Sequence, residues 1–434
     1  MASEAPRIDD GEAAPAWAPK VSAVWTFAGL IVGVALGIAL QGVAALPSLV
    51  TGAQAVGDLW LHALQVTIVP LVAALLVTGI QQIAAAAQGG RTARATLALF
   101  VALLFVGGIA AVLLTPLLLE LFPIPADAVR ALGGGTVENV ALPTLGDYLD
   151  TLIPTNIVAA AAEQKMLGLI VFFALLASAM TRLPARLRLP LAQLFEGLAA
   201  ALLVVIGWVL TLAPIGVLAL GFAFAANAGA AALGALTHYI LIVSAVGAVT
   251  LLVCYPLGIV GGRRPTLAFA RALMPVNAVA LATQSSLASL PAMLAACREL
   301  GVRERSADFV LPLSVALFRM TSPTMNLAVV IYVAHLTGTP LPPAILAFGV
   351  VIAVLASFST VSLPGSISFI ATIAPIALAM GVPIAPLGLL VAVEVLPDLM
   401  RTLGNVTADT AVAATIDRYA SDEVESSASS STQA

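Results

Sequence analysis

The sequence predicts an all-α membrane protein of eight transmembrane helices and two re-entrant helical hairpins, and three observations carry that prediction. Hydrophobic residues make up 61% of the 434 and charged residues only 9%, whereas a soluble domain needs roughly a quarter of its residues charged to hydrate its surface. Uncharged runs of about 20 residues, long enough to cross the hydrocarbon as helix, recur along the chain. Arg and Lys gather in alternate connections, and one late segment carries Arg at both ends.

Residues 1–20 are a polar tail that contains Arg7 and Lys20. The apolar run that begins near Val24 has no cleavage-site pattern after it and is expected to be a retained helix. Six spans follow near 24–46, 59–85, 96–122, 157–181, 192–226 and 232–260. Arg91 and Arg94 follow the second, Arg182, Arg186 and Arg188 the fourth, and Arg263 and Arg264 the sixth. The positive-inside bias places those connections and the N-terminus in the cytoplasm.

Arg271 then precedes the apolar stretch 272–297, and Arg298, Arg303 and Arg305 follow it. A return to the same side satisfies the bias, and the middle of the stretch, "ATQSSLASLP" (282–291), has the composition of a bent tip. The stretch 341–379 has a similar centre, "SFSTVSLPGS" (357–366). Arg418 should be cytoplasmic, so crossings near 308–335 and 384–415 leave 341–379 as a second hairpin. The acidic, Ser-rich tail 419–434 is expected to be disordered. The predicted organisation is therefore a tail at 1–20, six helices in 21–260, a core with two hairpins and helices seven and eight in 261–418, and a second cytoplasmic tail. Irregular backbone at membrane depth is tolerated only beside protein or a watery cavity, and paired broken segments point to a solute carrier's binding site.

The strongest chemical signal lies at 397–409, "PDLMRTLGNVTAD", after 74 residues (320–393) without Lys, Arg, Asp or Glu. At 100° per residue, Glu394, Asp398, Arg401, Thr402, Asn405 and Asp409 share an arc of about 100°. Thr407 falls opposite and is expected to bond its own backbone. Charge inside a membrane helix costs about 2.5–3.5 kcal/mol per group on insertion scales, so this stripe must face the interior. Arg401 can fork onto a carboxylate, Asp398 can accept from an ammonium, and Asn405 and Thr402 can orient the ligand.

"DLMRTLGNVTAD" resembles the last-helix motif of the dicarboxylate/amino acid:cation symporter family, the glutamate transporter relatives. In order along the chain, "VGDLWLHALQVTIVPLV" (56–72), "LIPTNIVAAAAEQKMLGLIVF" (152–172), "LAPIGVLAL" (212–220), the Ser-rich first tip, "LPLSVAL" (311–317) and "SLPGS" (362–366) are similar to other family segments. The resemblance implies a glutamate-transporter-like fold with inverted repeats, a homotrimer built on a scaffold within the first six helices, and a mobile transport domain. It assigns the substrate's side-chain carboxylate to Arg401 and its amino group to Asp398. Thr402, Asn405, Ser285, Ser286 and Ser322 complete the site, with Val361, Ser362, Pro364 and Gly365 at the gating second tip.

The family's seventh helix unwinds at Asn-Met-Asp-Gly-Thr, which supplies cation ligands. Those positions are Phe318, Arg319, Met320, Thr321 and Ser322 here. Asn405 and Asp409 remain as cation-binding candidates for sodium or a proton, together with Glu394. If all were ionised, the carboxylates of Glu394, Asp398 and Asp409 and the guanidiniums of Arg319 and Arg401 sum to −1. Arg319 is expected to act as a surrogate cation by pairing with Asp409 or Asp398.

The resulting expectation is a symporter of acidic amino acids such as aspartate or glutamate, coupled to protons or few sodium ions. The alternative is a C4-dicarboxylate or other organic-anion carrier or exchanger without sodium dependence. The partners are a small anionic substrate, the bilayer and two further copies, with no nucleic acid and no cofactor beyond a coupled Na+ or H+. The expected location is the cell (inner) membrane. An intramembrane protease would need a Ser/His or paired-Asp arrangement, and the chain has no G-x-S-x-G. His62, His238 and His335 are widely spaced, as are Cys254 and Cys297, so packing roles are expected and no metal site.

Overall fold

A computed structural model describes residues 23–41, 43, 46–125, 153–163, 165–229, 231–358 and 365–432. Among them the regular structure is helical, with no strand. Helices α1 (Ala23–Ala39), α2 (Leu46–Gln65), α3 (Ile68–Ala86), α4 (Arg91–Leu121), α5 (Ile157–Ala162) and α6 (Met166–Met180) come first. The second span is thus a bent pair, α2 and α3, that begins well before residue 59. Helices α7 (Ala185–Thr211) and α8 (Ala213–Ala228) divide the predicted 192–226 span at Leu212, because Pro214 sits in the first turn of α8, where a missing N–H does no harm. Gly33 of α1 lies against the backbone of Leu218, an approach that leaves no room for a side chain. Helix α9 (Ala231–Pro256) ends in a π-helical turn, Leu257–Gly261.

The first hairpin is α10 (Thr266–Thr283) and α11 (Leu290–Glu299), joined by a tip in which Gln284 is left-handed at φ 50°. Its ends meet: Arg264 donates to the Leu300 carbonyl at 2.6 Å. Asp417 ties both ends to the last helix, with Arg303 Nε at 2.7 Å and Arg264 Nη2 at 3.3 Å. The seventh segment is two helices, α12 (Glu304–Leu317) and α13 (Thr321–Thr337). Between them Phe318 is extended and stacks on Phe100 of α4, ring centroids 4.5 Å apart. The most apolar window of this segment is 89% buried, against 33% for α4, so the seventh segment is central and α4 peripheral.

The second hairpin is α14 (Pro343–Phe358) and α15 (Gly365–Ala379), which pack on each other. The chain then makes a short α16 (Ala385–Leu390), breaks, and restarts as α17 (Val395–Thr432). The break corrects the expectation of one continuous helix over 384–415. Pro397 lies in the first turn of α17, where its missing N–H costs no hydrogen bond. At its far end α17 runs to Thr432, where composition predicts disorder. Large side chains such as Trp25, Leu113, Trp208 and Leu252 stay exposed, as a lipid-facing surface requires. Six helical stretches among the described residues are long and apolar enough to cross a membrane.

Candidate functional site

Helix α17 is packed by α9, by both arms of the first hairpin, and by α12 and α13. Its polar stripe therefore faces protein. Arg401 lies at the centre, its side chain only 14% exposed. Nη2 meets Glu394 Oε1 at 2.6 Å, Nη1 donates to Asn326 Oδ1 at 2.7 Å, and Nε lies 3.4 Å from Asp398 Oδ1. Glu394 stands in the break before α17, not on the helix itself, and its other oxygen accepts from the Tyr239 hydroxyl at 2.8 Å. Asn326 in turn donates to Ser322 Oγ at 3.1 Å. One guanidinium thus holds together helix α13, helix α17 and, through Glu394, helix α9.

A second cluster lies further along α17. The oxygen of Asn405 accepts from both the backbone N–H (3.1 Å) and the hydroxyl (2.8 Å) of Thr321. Thr321 is the first residue of α13, so Asn405 satisfies one of the four amides that a helix start leaves without partners. Both lone pairs of that amide oxygen are engaged, and none is left for a cation in this arrangement. The Thr321 methyl packs directly against Gly404, where a Cβ would collide with it. Asp409 is fully buried, and neither carboxylate oxygen has a hydrogen-bond partner. Arg319, half-buried in the break between α12 and α13, lies within electrostatic reach of Asp398, Arg401 and Asp409. Its action on Asp409 is through space, not through a hydrogen bond.

The structure thus brings together Glu394, Asp398, Arg401 and, through Asn326, Ser322. Thr402 bonds the Asp398 carbonyl at 3.0 Å. Ser285 and Ser286 are half-buried at the first tip, where Ser285 accepts from the Ala288 amide and the Ser289 hydroxyl. Gly365 opens α15, while Val361, Ser362 and Pro364 lie outside the described residues. Thr407 Oγ is buried without a hydrogen-bond partner, contrary to the expected bond to its own helix. Two site residues escaped the sequence reading. Asn326 is the single carboxamide within the uncharged 320–393 stretch, one turn after Ser322, and that isolation was a usable signal. Tyr239 has no such mark in its local sequence.

The protein-family comparison matches residues 23–419 to the model of the sodium:dicarboxylate symporter family. The chain belongs to that family. This is a family of membrane transporters, not of enzymes, and the apolar helices agree with a multi-pass membrane protein. The chain is 27% identical to the proton/glutamate-aspartate symporter of Escherichia coli (strain K12), covering 81% of each. It is 22% identical to the proton/sodium-glutamate symport protein of Geobacillus stearothermophilus, over 92% of this chain and 95% of the relative. It is also 25% identical to C4-dicarboxylate transport protein 1 of Pseudomonas aeruginosa (strain UCBPP-PA14), over 91% and 87%.

Proposed function

We propose that this symporter carries acidic amino acids, aspartate or glutamate, across the cell (inner) membrane by movement of a transport domain within a homotrimer. Both termini would be cytoplasmic, in keeping with the distribution of Arg. The observation that carries the reading is the pairing of Arg401 with Asp398 on one buried face. Together they offer a fork for a carboxylate and an acceptor for an ammonium, which an acidic amino acid supplies at once. The names of the relatives from Escherichia coli and Geobacillus stearothermophilus support that substrate class. Ser322, Thr402, Ser285 and Ser286, with the second tip (Val361, Ser362, Pro364, Gly365), would enclose the ligand.

Coupling would rest on protons or few sodium ions. Phe318 is stacked in the core and Asn405 is engaged by Thr321, so two positions where the family resemblance suggests cation ligands are otherwise occupied. Arg319 supplies a tethered positive charge near Asp398 and Asp409. A second reading, a C4-dicarboxylate carrier, is favoured by the name of the relative from Pseudomonas aeruginosa; a dicarboxylate would need no ammonium acceptor. Thermal-shift titration of the purified protein with aspartate, glutamate and succinate, in sodium and in choline buffers, tests both. Stabilisation by aspartate or glutamate in either buffer supports the first reading, and stabilisation by succinate alone selects the second. A steep dependence of the shift on several sodium ions would overturn coupling to protons or few sodium ions.

A further inference from the structure

We propose that the cleft between the end of α3 and the start of α7 binds a phospholipid headgroup that joins a phosphate to an ammonium, with Arg188 as the phosphate's partner and Glu196 as the ammonium's. The cleft lies outside the Arg401 cluster, so the inference goes beyond the functional reading above and stands whichever organic anion is carried.

Helices α7 and α8 run for 27 and 16 residues, about 65 Å of helix at 1.5 Å per residue. The hydrocarbon core of a bilayer is about 30 Å thick. The Arg-bearing connections at 182–188 and 263–264 leave α7 with α8 one crossing and α9 the other. Roughly the first half of α7 therefore has to lie at the level of the headgroups. Its sequence suits that level: Arg186 and Arg188 alternate with Leu187, Leu189 and Leu191, and these leucines, with Leu194, stay exposed. Such a stretch lays its leucines on acyl chains and reaches the headgroups with its guanidiniums.

Helix α3 packs along both α6 and α7. Near its end Gln81 donates to the Ala177 carbonyl of α6 at 2.8 Å. Beside that contact lies a cleft of about 320 Å³, lined by Gln82 and Gln88 on the α3 side and by Arg188, Leu189 and Glu196 of α7. That volume falls within the range of small-ligand sites. Among the described residues, the side chains of Gln82, Gln88, Arg188 and Glu196 have no hydrogen-bond or ion-pair partner. Opposite charges thus line one cleft without pairing. Arg188 and Glu196 stand eight residues apart on α7, about 12 Å of rise. A ligand that bridges them needs an anionic and a cationic group held apart by a short linker, and a phosphate joined through two carbons to an ammonium has that form. The guanidinium forks onto phosphate oxygens, the Gln82 and Gln88 amides donate to those that remain, and the carboxylate accepts from the ammonium. Glu196 repels a headgroup of net negative charge such as a phosphoglycerol. Leu189 leads from the cleft onto the neighbouring leucines, which cover the acyl chains of the same molecule, so the lipid is the occupant in preference to the free headgroup. The leaflet is the cytoplasmic one in the orientation proposed above, where basic pockets between membrane helices take headgroups.

The test is thermal unfolding of the full-length protein in neutral detergent, titrated with phosphatidylethanolamine, with phosphatidylglycerol and with soluble phosphoethanolamine, for wild type, Arg188→Gln and Glu196→Gln. Phosphatidylethanolamine should raise the wild-type midpoint and saturate. Each variant should need about tenfold more of it for half-saturation, the loss of one charge-assisted hydrogen bond. Phosphatidylglycerol should stabilise the wild type less, and Glu196→Gln should narrow the gap between the two lipids. An unchanged half-saturation in either variant overturns the site. Phosphatidylethanolamine with no advantage over phosphatidylglycerol in the wild type overturns the role given to the ammonium, and that comparison needs no variant. Stabilisation by phosphoethanolamine at the concentrations at which the lipid acts overturns the lipid as occupant and assigns the cleft to the free headgroup. Arg188 is half-buried and Glu196 exposed, and circular dichroism verifies that each variant folds; if one is lost, the other and the wild-type comparison still decide.

Discussion

Replacing Arg401 by Lys keeps the positive charge and removes the fork, which isolates the part of the site that depends on shape. In the structure one guanidinium reaches Glu394 at 2.6 Å and Asn326 at 2.7 Å through different nitrogens while Nε faces Asp398. A single ammonium on a flexible stem cannot hold one of those anchors and also present two parallel N–H groups to a ligand. The variant should therefore lose one charge-assisted hydrogen bond to the substrate carboxylate, about 1.5–3 kcal/mol. That corresponds to a rise of roughly 10- to 150-fold in Kd. Equilibrium binding of labelled aspartate and of labelled succinate to the purified protein measures it, with thermal unfolding run beside it to verify the fold. Both ligands should weaken, since each offers a carboxylate. A Kd within twofold of wild type for both would refute the placement of the ligand on Arg401.

Three further outcomes follow from the same geometry. Asn405→Ala leaves the Thr321 amide without its partner in a buried site, while the Thr321 hydroxyl keeps the Arg401 carbonyl at 3.1 Å, at a cost of about 1–3 kcal/mol for the amide left unsatisfied, and a lower thermal unfolding midpoint would register it. Gly404→Ala drives a methyl into the Thr321 side chain, and should destabilise by about 1–3 kcal/mol through overpacking, with the seventh-segment break as the place that shifts in hydrogen exchange. Asp417→Asn removes the anchor of both hairpin ends; because Arg303 is about half exposed, the loss should be on the order of 1 kcal/mol, read as faster hydrogen exchange in residues 264–303.

The fold was legible to the extent that its signals are one-dimensional. Apolar run length, the alternation of Arg-bearing connections, and the Ser- and Pro-rich centres of the two late segments are properties of order along the chain. They pointed to the paired helices of 266–299 and 343–379 and to the polar stripe from Glu394 to Asp409. Breaks were less legible. Pro397 and Pro214 stand where helices restart, but a proline is tolerated in any first turn, so the chain alone does not say which turn is the first. The helical continuation to Thr432 escaped because composition reports solvation better than it reports the propagation of a helix already formed.

By itself, then, the sequence determined that this protein lives in a membrane, that its charge is concentrated on one face of its last helix, and that Arg401 and Asp398 share that face. Only the tertiary structure decided what those charges touch. Tyr239 lies 155 residues from Glu394, and Asn326 lies 75 from Arg401; neither partner is marked by spacing. Asn405, a ligand candidate by its type and position, proves to cap the start of α13, because packing of α17 on the seventh segment sets its oxygen against Thr321. A side chain's chemistry is written in its identity, but its partner is chosen by the packing of helices far apart in the chain, and local periodicity carries no information about that choice.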